Sequence, residues 1–244
     1  MIHEAFREDI LESADVMPAK KRIIQSADHI IAISEHTKKD IIKYLDIPEE
    51  KISVVYHGGA VTHGELKPLS LPTTYVLFVG SRSGYKSFDK FIRFSCEALI
   101  KNNVSVFCAG GGPFTSTEKL LIQQLGLSNL LFQKNVTDEE LNYCYKHARL
   151  FIFPSIYEGF GLPILEAFAC HCPVLLFNGS CFPEIARDSA YYFDNFEDLP
   201  ELLSKMLIDD VFRNKKIQMQ NLRLLDFSWS KTAQQTSSVY KNIL

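Results

Sequence analysis

Short apolar runs alternate with amphipathic stretches along the chain. HIIAIS (29–34) is apolar, and the residues from Glu35 to Leu45 read as a helix. KISVVY (51–56) is strand-like again. From His57 to Pro72 no periodicity is visible and glycine and proline recur, which marks a linker with 61–72 as its body. Then the alternation restarts. TYVLFVG (74–80) predicts a strand, and Phe88, Phe91, Ile92, Ser95, Cys96 and Leu99 share one helical face. VSVFCAG (104–110) predicts a strand and TEKLLIQQL (117–125) a helix. LLFQ (130–133) is strand-like, and Asp138 to His147 is helical with Thr137 as its N-cap. LFIFP (150–154), PVLLF (173–177) and AYYF (190–193) complete the strands, with helices between and after them.

Strands that are apolar at every position, separated by helices, point to a parallel sheet covered on both faces. Residues 73–226 therefore read as one complete, doubly wound α/β domain of Rossmann type, with ligands expected at the carboxyl ends of its strands. Residues 1–60 supply about two strands and a few helices, too little for a whole α/β domain, so they read as part of one. Residues 227–244 read as a terminal helix.

Composition narrows the class. The chain has 244 residues, 46% hydrophobic and 23% charged, as in an ordinary globular protein. Its 26 basic and 29 acidic residues leave a formal charge of -3, which gives no reason to expect nucleic acid as a partner. No segment has the roughly 18 consecutive apolar residues of a spanning helix. The start, MIHEAFREDILE, lacks the basic and apolar regions of a secretory leader. Its six cysteines sit mostly in apolar runs, as reduced, buried thiols do, and Cys170-His171-Cys172 with Cys181 matches no common zinc spacing. The expectation is a cytoplasmic protein, peripheral to the inner face of the membrane at most.

Three loops carry candidate chemistry, each after a predicted strand. In GSRSGYK (80–86), Arg82 offers a planar fork for phosphate oxygens and Lys86 a mobile point charge, while Gly80 and Gly84 allow a tight turn. In AGGGP (109–113), the three glycines Gly110, Gly111 and Gly112 permit close approach of a sugar or nucleotide. Either loop alone could be an ordinary turn. The third, PSIYEGFGLPILEA (154–167), is more specific. Pro163 suits the first helical position, and the N–H groups of Gly161, Leu162 and Ile164 would form a diphosphate cradle at a helix N-terminus. Glu158 in the loop and Glu166 in the helix are acceptors for sugar and ribose hydroxyls.

EGFGLPILEA, with seven residues between Glu158 and Glu166, resembles the family 4 retaining glycosyltransferases of the GT-B fold, which include bacterial mannosyl- and glucosyltransferases of polysaccharide assembly. The resemblance extends through VLFVGSRSGYK, VFCAGGGP, NVTDEELNYCYKHARLFIFPS and PVLLFNGSCFPEIARDSAYYF to FSWSKTAQQTSSVYKNIL, which resembles the family's terminal helix. IIAISEHTKKDIIKYLDIPEEKISVVYHG resembles the end of the family's first domain. The resemblance implies a nucleotide-sugar donor, GDP- or UDP-linked, a glycan or lipid-linked acceptor, and no bound metal or other cofactor. Arg82 and Lys86 are implied to hold the diphosphate, Glu166 the ribose and Glu158 the transferred sugar. Gly80, Gly110, Gly112, Gly159, Phe160, Gly161 and Leu162 are implied to line the donor, and Val136 the base. His3 aligns with a family histidine near the acceptor.

Two departures qualify the match. Residues 1–60 are about half of the family's first domain and lack its opening glycine loop, and His171 stands where the family has glycine. A chain short of its acceptor side is expected to need a partner chain or self-association, and to transfer poorly by itself, because an open donor site admits water. The alternatives are a nucleotide-sugar-binding module without catalysis and, less well matched by the two glutamates, an epimerase or hydrolase of the same fold.

Overall fold

The computed structural model describes residues 1, 5, 13–59 and 66–243. His3 and the first part of the linker lie outside the described residues. The described part begins with α1 (Ser13–Ser26), β1 (Ile30–Ala32), α2 (Glu35–Leu45) and β2 (Ile52–Val54). Then follow β3 (Tyr75–Val79), α3 (Phe88–Asn102), β4 (Ser105–Ala109), α4 (Ser116–Gln124), β5 (Leu131–Lys134), α5 (Asp138–His147), β6 (Leu150–Phe153) and α6 (Leu162–Ala169). The chain closes with β7 (Val174–Phe177), α7 (Phe182–Ala186), β8 (Tyr191–Phe193), α8 (Leu199–Ile208), α9 (Asp210–Asn214), α10 (Ile217–Leu224) and α11 (Trp229–Ile243).

Local chemistry sets several boundaries. Thr137 caps α5 by accepting the Glu140 N–H, and the Glu140 carboxylate returns to the Thr137 N–H. Thr115 and Glu118 form the same box at α4. Ser34 caps α2 by accepting from the Thr37 N–H at 3.0 Å. Gly80 ends β3 one residue before the expected limit, because its φ of +93° cannot continue a strand. His171 has a φ of +55°, a conformation that suits glycine better.

β3 to β8 form one parallel sheet in the order β5-β4-β3-β6-β7-β8. Both faces are buried. Val76, Phe78, Val106, Cys108, Leu150 and Ile152 pack on one side with α3, α4 and α8. Tyr75, Leu77, Phe107, Phe151 and Phe153 pack on the other with α5, α6 and α7. Two covered faces are why these strands show no alternation of polarity. The described N-terminal part holds a separate parallel pair, β1 beside β2, over a small cluster of Ala32, Ile41, Leu45, Ile47 and Ile52. At the chain's end Thr232 Oγ1, on α11, donates to the Tyr56 carbonyl at 2.7 Å, and Trp229 meets the His57 ring at 5.8 Å, so α11 rests against the N-terminal part. No described helix is long and apolar enough to cross a membrane.

Candidate functional site

Chain order in the large sheet reverses between β3 and β6. A crevice opens outside the carboxyl ends of strands at such a point. The loops after β3 and β6 flank it and are joined directly, the Ile156 N–H donating to the Tyr85 carbonyl at 2.9 Å. The glycine loop after β4 lies beside them, with Gly80 N–H bonded to the Ala109 carbonyl at 2.9 Å. All three candidate loops therefore meet at one end of the sheet.

Arg82 is placed otherwise than its expected role requires. Its side chain is 3% exposed, and Nε donates to Glu118 Oε1 at 2.7 Å. Nη1 donates to the Gly110 carbonyl at 3.2 Å, and Nη2 to those of Gly112 at 2.9 Å and Pro113 at 3.2 Å. The Phe114 ring covers the guanidinium at 4.8 Å. The cause lies in the glycine loop. Gly110, Gly111 and Gly112 all have positive φ, and this turn leaves backbone carbonyls that need a donor. A guanidinium with five N–H groups meets that need. Arg82 is thus a strut of the loop rather than a free fork for phosphate. Gly111 is the tightest point of that loop: a Cβ there would collide with the Gly80 carbonyl and lie 2.8 Å from Arg82 Nη1. Burial works to raise the Glu118 carboxyl, but hydrogen bonds from Arg82 and Thr115 outweigh it and hold it below its ordinary value.

Lys86 is the cation that faces the loop of β6. Its Nζ donates to Glu158 Oε1 at 2.6 Å, with side-chain exposures of 17% and 12%. The Phe153 and Tyr85 rings each lie 5.3 Å from the ammonium. The Glu158 backbone is clamped at both ends by one hydroxyl: Ser180 Oγ accepts from its N–H at 2.8 Å and donates to its carbonyl at 2.6 Å. Two residues expected to handle donor charge and sugar are therefore in contact.

α6 begins at Leu162, so Pro163 occupies its second position rather than the first. Gly161 is the cap at φ +91°, and a Cβ there would meet Ile164 Cδ1 at 3.0 Å. The Ile164 N–H bonds to the Gly161 carbonyl at 2.9 Å, which removes it from the expected cradle. Phe160 is buried and meets the His57 ring edge-on at 5.1 Å, turned toward the N-terminal part. One turn into α6, Glu166 Oε2 accepts from the Tyr145 hydroxyl at 3.0 Å. Burial raises its carboxyl, against the Tyr145 hydrogen bond, which lowers it. Val136 is partly buried between β5 and α5. Cys170, Cys172 and Cys181 are buried thiols pushed upward by burial, Cys170 to about 11. No described group of three or more His, Cys, Asp or Glu could hold a metal ion.

Residues 67–221 match the family model of glycosyl transferases group 1, and residues 3–59 that of glycosyltransferase family 4. The chain is 38% identical over 234 residues to the O-antigen chain mannosyltransferase B of Escherichia coli, covering 89% of this chain and 61% of that protein. It is 27% identical over 228 residues to the serotype-specific mannosyltransferase WbdA of Escherichia coli, covering 86% of this chain and 28% of that one. The crystal structure of Anabaena Alr3699/HepE in complex with UDP and glucose is similar in fold, with a TM-score of 0.78 at 18% identity over 96% of this chain and 69% of that chain. The chain spans less than two thirds of the length of either mannosyltransferase.

Proposed function

The chain belongs to the glycosyl transferases group 1 family and has the GT-B fold, and from that premise we propose that it forms the donor-binding half of a retaining hexosyltransferase. The donor is a nucleoside-diphosphate sugar, with mannose favoured by the mannosyltransferases it is similar to. The acceptor is a glycan or a lipid-linked glycan in polysaccharide assembly. In the transfer, the anomeric carbon exchanges its phosphate oxygen for an acceptor oxygen and keeps its configuration. The acceptor's proton leaves with the nucleoside diphosphate.

The observation that carries this reading is the contact of Lys86 with Glu158 across the loops after β3 and β6, where chain order in the sheet reverses and Gly161 opens α6. The diphosphate lies against the start of α6 and Lys86, where fixed positive charge lowers the energy of the departing phosphate. In the bound state Lys86 exchanges Glu158 for the diphosphate, and Glu158 is released to the sugar hydroxyls. Glu166 accepts from the ribose. Lys86 and the helix terminus supply the charge stabilisation, and no metal is required. Arg82 holds the glycine loop beside them.

The test is calorimetric titration of the chain with GDP, UDP and their hexose conjugates, beside Lys86→Ala and Glu166→Ala. Saturable binding of one nucleotide series, weakened in both variants, is expected. A folded chain that binds none of them would sink the reading. Binding without transfer to any glycan acceptor would favour a sugar-nucleotide-binding module instead.

A further inference from the structure

Both chain neighbours of Glu158 are held by a single helix of the N-terminal part. On one side, the Tyr157 hydroxyl donates to Asp40 Oδ2, within α2. On the other, the Gly159 carbonyl accepts from Ser34 Oγ at 2.7 Å and from Thr37 Oγ1 at 3.2 Å. The approach is close enough that a Cβ on Gly159 would lie 3.3 Å from Ile33 Cδ1 and 3.8 Å from Thr37 Oγ1. Asp40 and Tyr157 are buried, and His36 Nε2 lies 3.5 Å from the same Asp40 oxygen.

The donor domain answers with its own contact. Glu184, on α7, accepts the Glu35 N–H at 2.7 Å and the His36 N–H at 3.1 Å, closing the start of α2. A carboxylate is stabilised there by the unsatisfied N–H groups and the helix dipole. Four residues before Glu184 stands Ser180, whose hydroxyl clamps the Glu158 backbone. The contacts form a closed ring: α2 to Tyr157 and Gly159, Glu158 to Ser180, and α7 back to α2.

We propose that Ser34, Thr37 and Asp40 are positioning residues for Glu158, so that the N-terminal part of the chain sets the geometry of the donor's sugar subsite. This rests on the donor reading given above. The Glu158 side chain accepts from Lys86, and where it starts from is set by the backbone on either side. A carboxylate that must meet particular sugar hydroxyls depends on such support within a fraction of an ångström. The hydrogen bonds of the ring join α2, the loop after β6 and the start of α7, the segments around Glu158, so their effect is expected at the sugar.

The prediction is a selective loss. In titrations of the full chain, Asp40→Asn and Thr37→Val weaken the sugar nucleotide by roughly tenfold, as expected for misplaced hydrogen bonds, and leave the bare nucleoside diphosphate unchanged. Thr37→Ser keeps the hydroxyl and restores wild-type binding. Glu158→Ala supplies the reference pattern of sugar-selective loss. Equal weakening of sugar nucleotide and nucleoside diphosphate would mean a merely structural role and overturn the proposal. So would wild-type discrimination in the α2 variants while Glu158→Ala loses it. If the wild-type chain binds no nucleotide, the donor reading falls first and this one with it. Thermal melts of each variant identify any that fails to fold, and the Thr37 pair, with its small change in volume, keeps the question decidable should Asp40→Asn be among them.

Discussion

The two sides of the crevice are built on different principles. The side formed by the loops after β3 and β4 is held from within its own domain: Arg82 joins the glycine loop to the first turn of α4 through Glu118. The side formed by the loop after β6 is held from outside, by α2 of the N-terminal part and by Ser180. The internal strut is nearly dry and makes no demand on the rest of the protein. The external one couples the Glu158 loop to a segment 117 to 125 residues away in sequence. On the proposed function, a wall held within its own domain facing one held by the N-terminal part is a physical arrangement by which the acceptor side can influence the donor side.

The sharpest way to break this contrast is Glu118→Ala. It strands a guanidinium of 3% exposure, and removing one partner of such a buried pair costs about 3–5 kcal/mol. Urea unfolding should show a loss of that size, and a loss under about 1 kcal/mol would mean the strut is not what holds the glycine loop. Lys86→Ala comes next, because it acts on binding. Loss of a charge-assisted contact of about 1.5–3 kcal/mol should weaken the donor by roughly 10- to 100-fold in calorimetry. An unchanged affinity would remove Lys86 from the site.

Glu166 gives a pH test. Its folded carboxyl is raised by burial, so the ionised acceptor exists above that raised value. Donor affinity should therefore fall as pH drops through it, at a pH above the ordinary carboxylate range. The same shift makes the unliganded fold lose a little stability as pH rises from the unfolded value through the folded one. Glu166→Gln should bind more weakly and lose this part of the pH dependence. Comparing the two proteins with one ligand cancels the titration of the diphosphate itself, and parallel profiles would exclude Glu166 as the titrating group. The smallest effect is expected away from both walls. His171→Gly should raise the melting temperature, since a side chain at φ +55° costs about 1 kcal/mol. If the melting temperature falls, the His171 side chain contributes more than its backbone strain removes.

Much of the architecture was readable from the chain alone. The limits of α2 and α5 fall where periodicity and capping residues place them, with Thr137 accepting the Glu140 N–H as its position implies. The strands agree with their apolar runs to within a residue or two at either end. The loops carrying Lys86, Glu158 and Gly161 were legible because each follows a predicted strand, and the doubly wound pattern brings such loops to one end of the sheet. Arg82 shows the limit. Its type and spacing fit a phosphate fork, yet its acceptors are Glu118 and the carbonyls of a turn some thirty residues on. The helix expected over 117–125 starts at Ser116 behind the Thr115–Glu118 box, and the second use of that carboxylate, on Arg82, has no local signal.

Legible in the chain is whatever depends on neighbours a few residues apart: strands, helices, caps, the buried sheet and the family's glutamate motif. These follow from periods of two and 3.6 residues and from hydrogen bonds within one turn. What only the tertiary structure decided is which polar groups satisfy one another across the fold, such as Arg82 with the glycine carbonyls, Asp40 with Tyr157, and Glu184 with the start of α2. A buried donor or acceptor must find a partner, but the chain does not say which, because that choice is made by the packing that brings distant segments together.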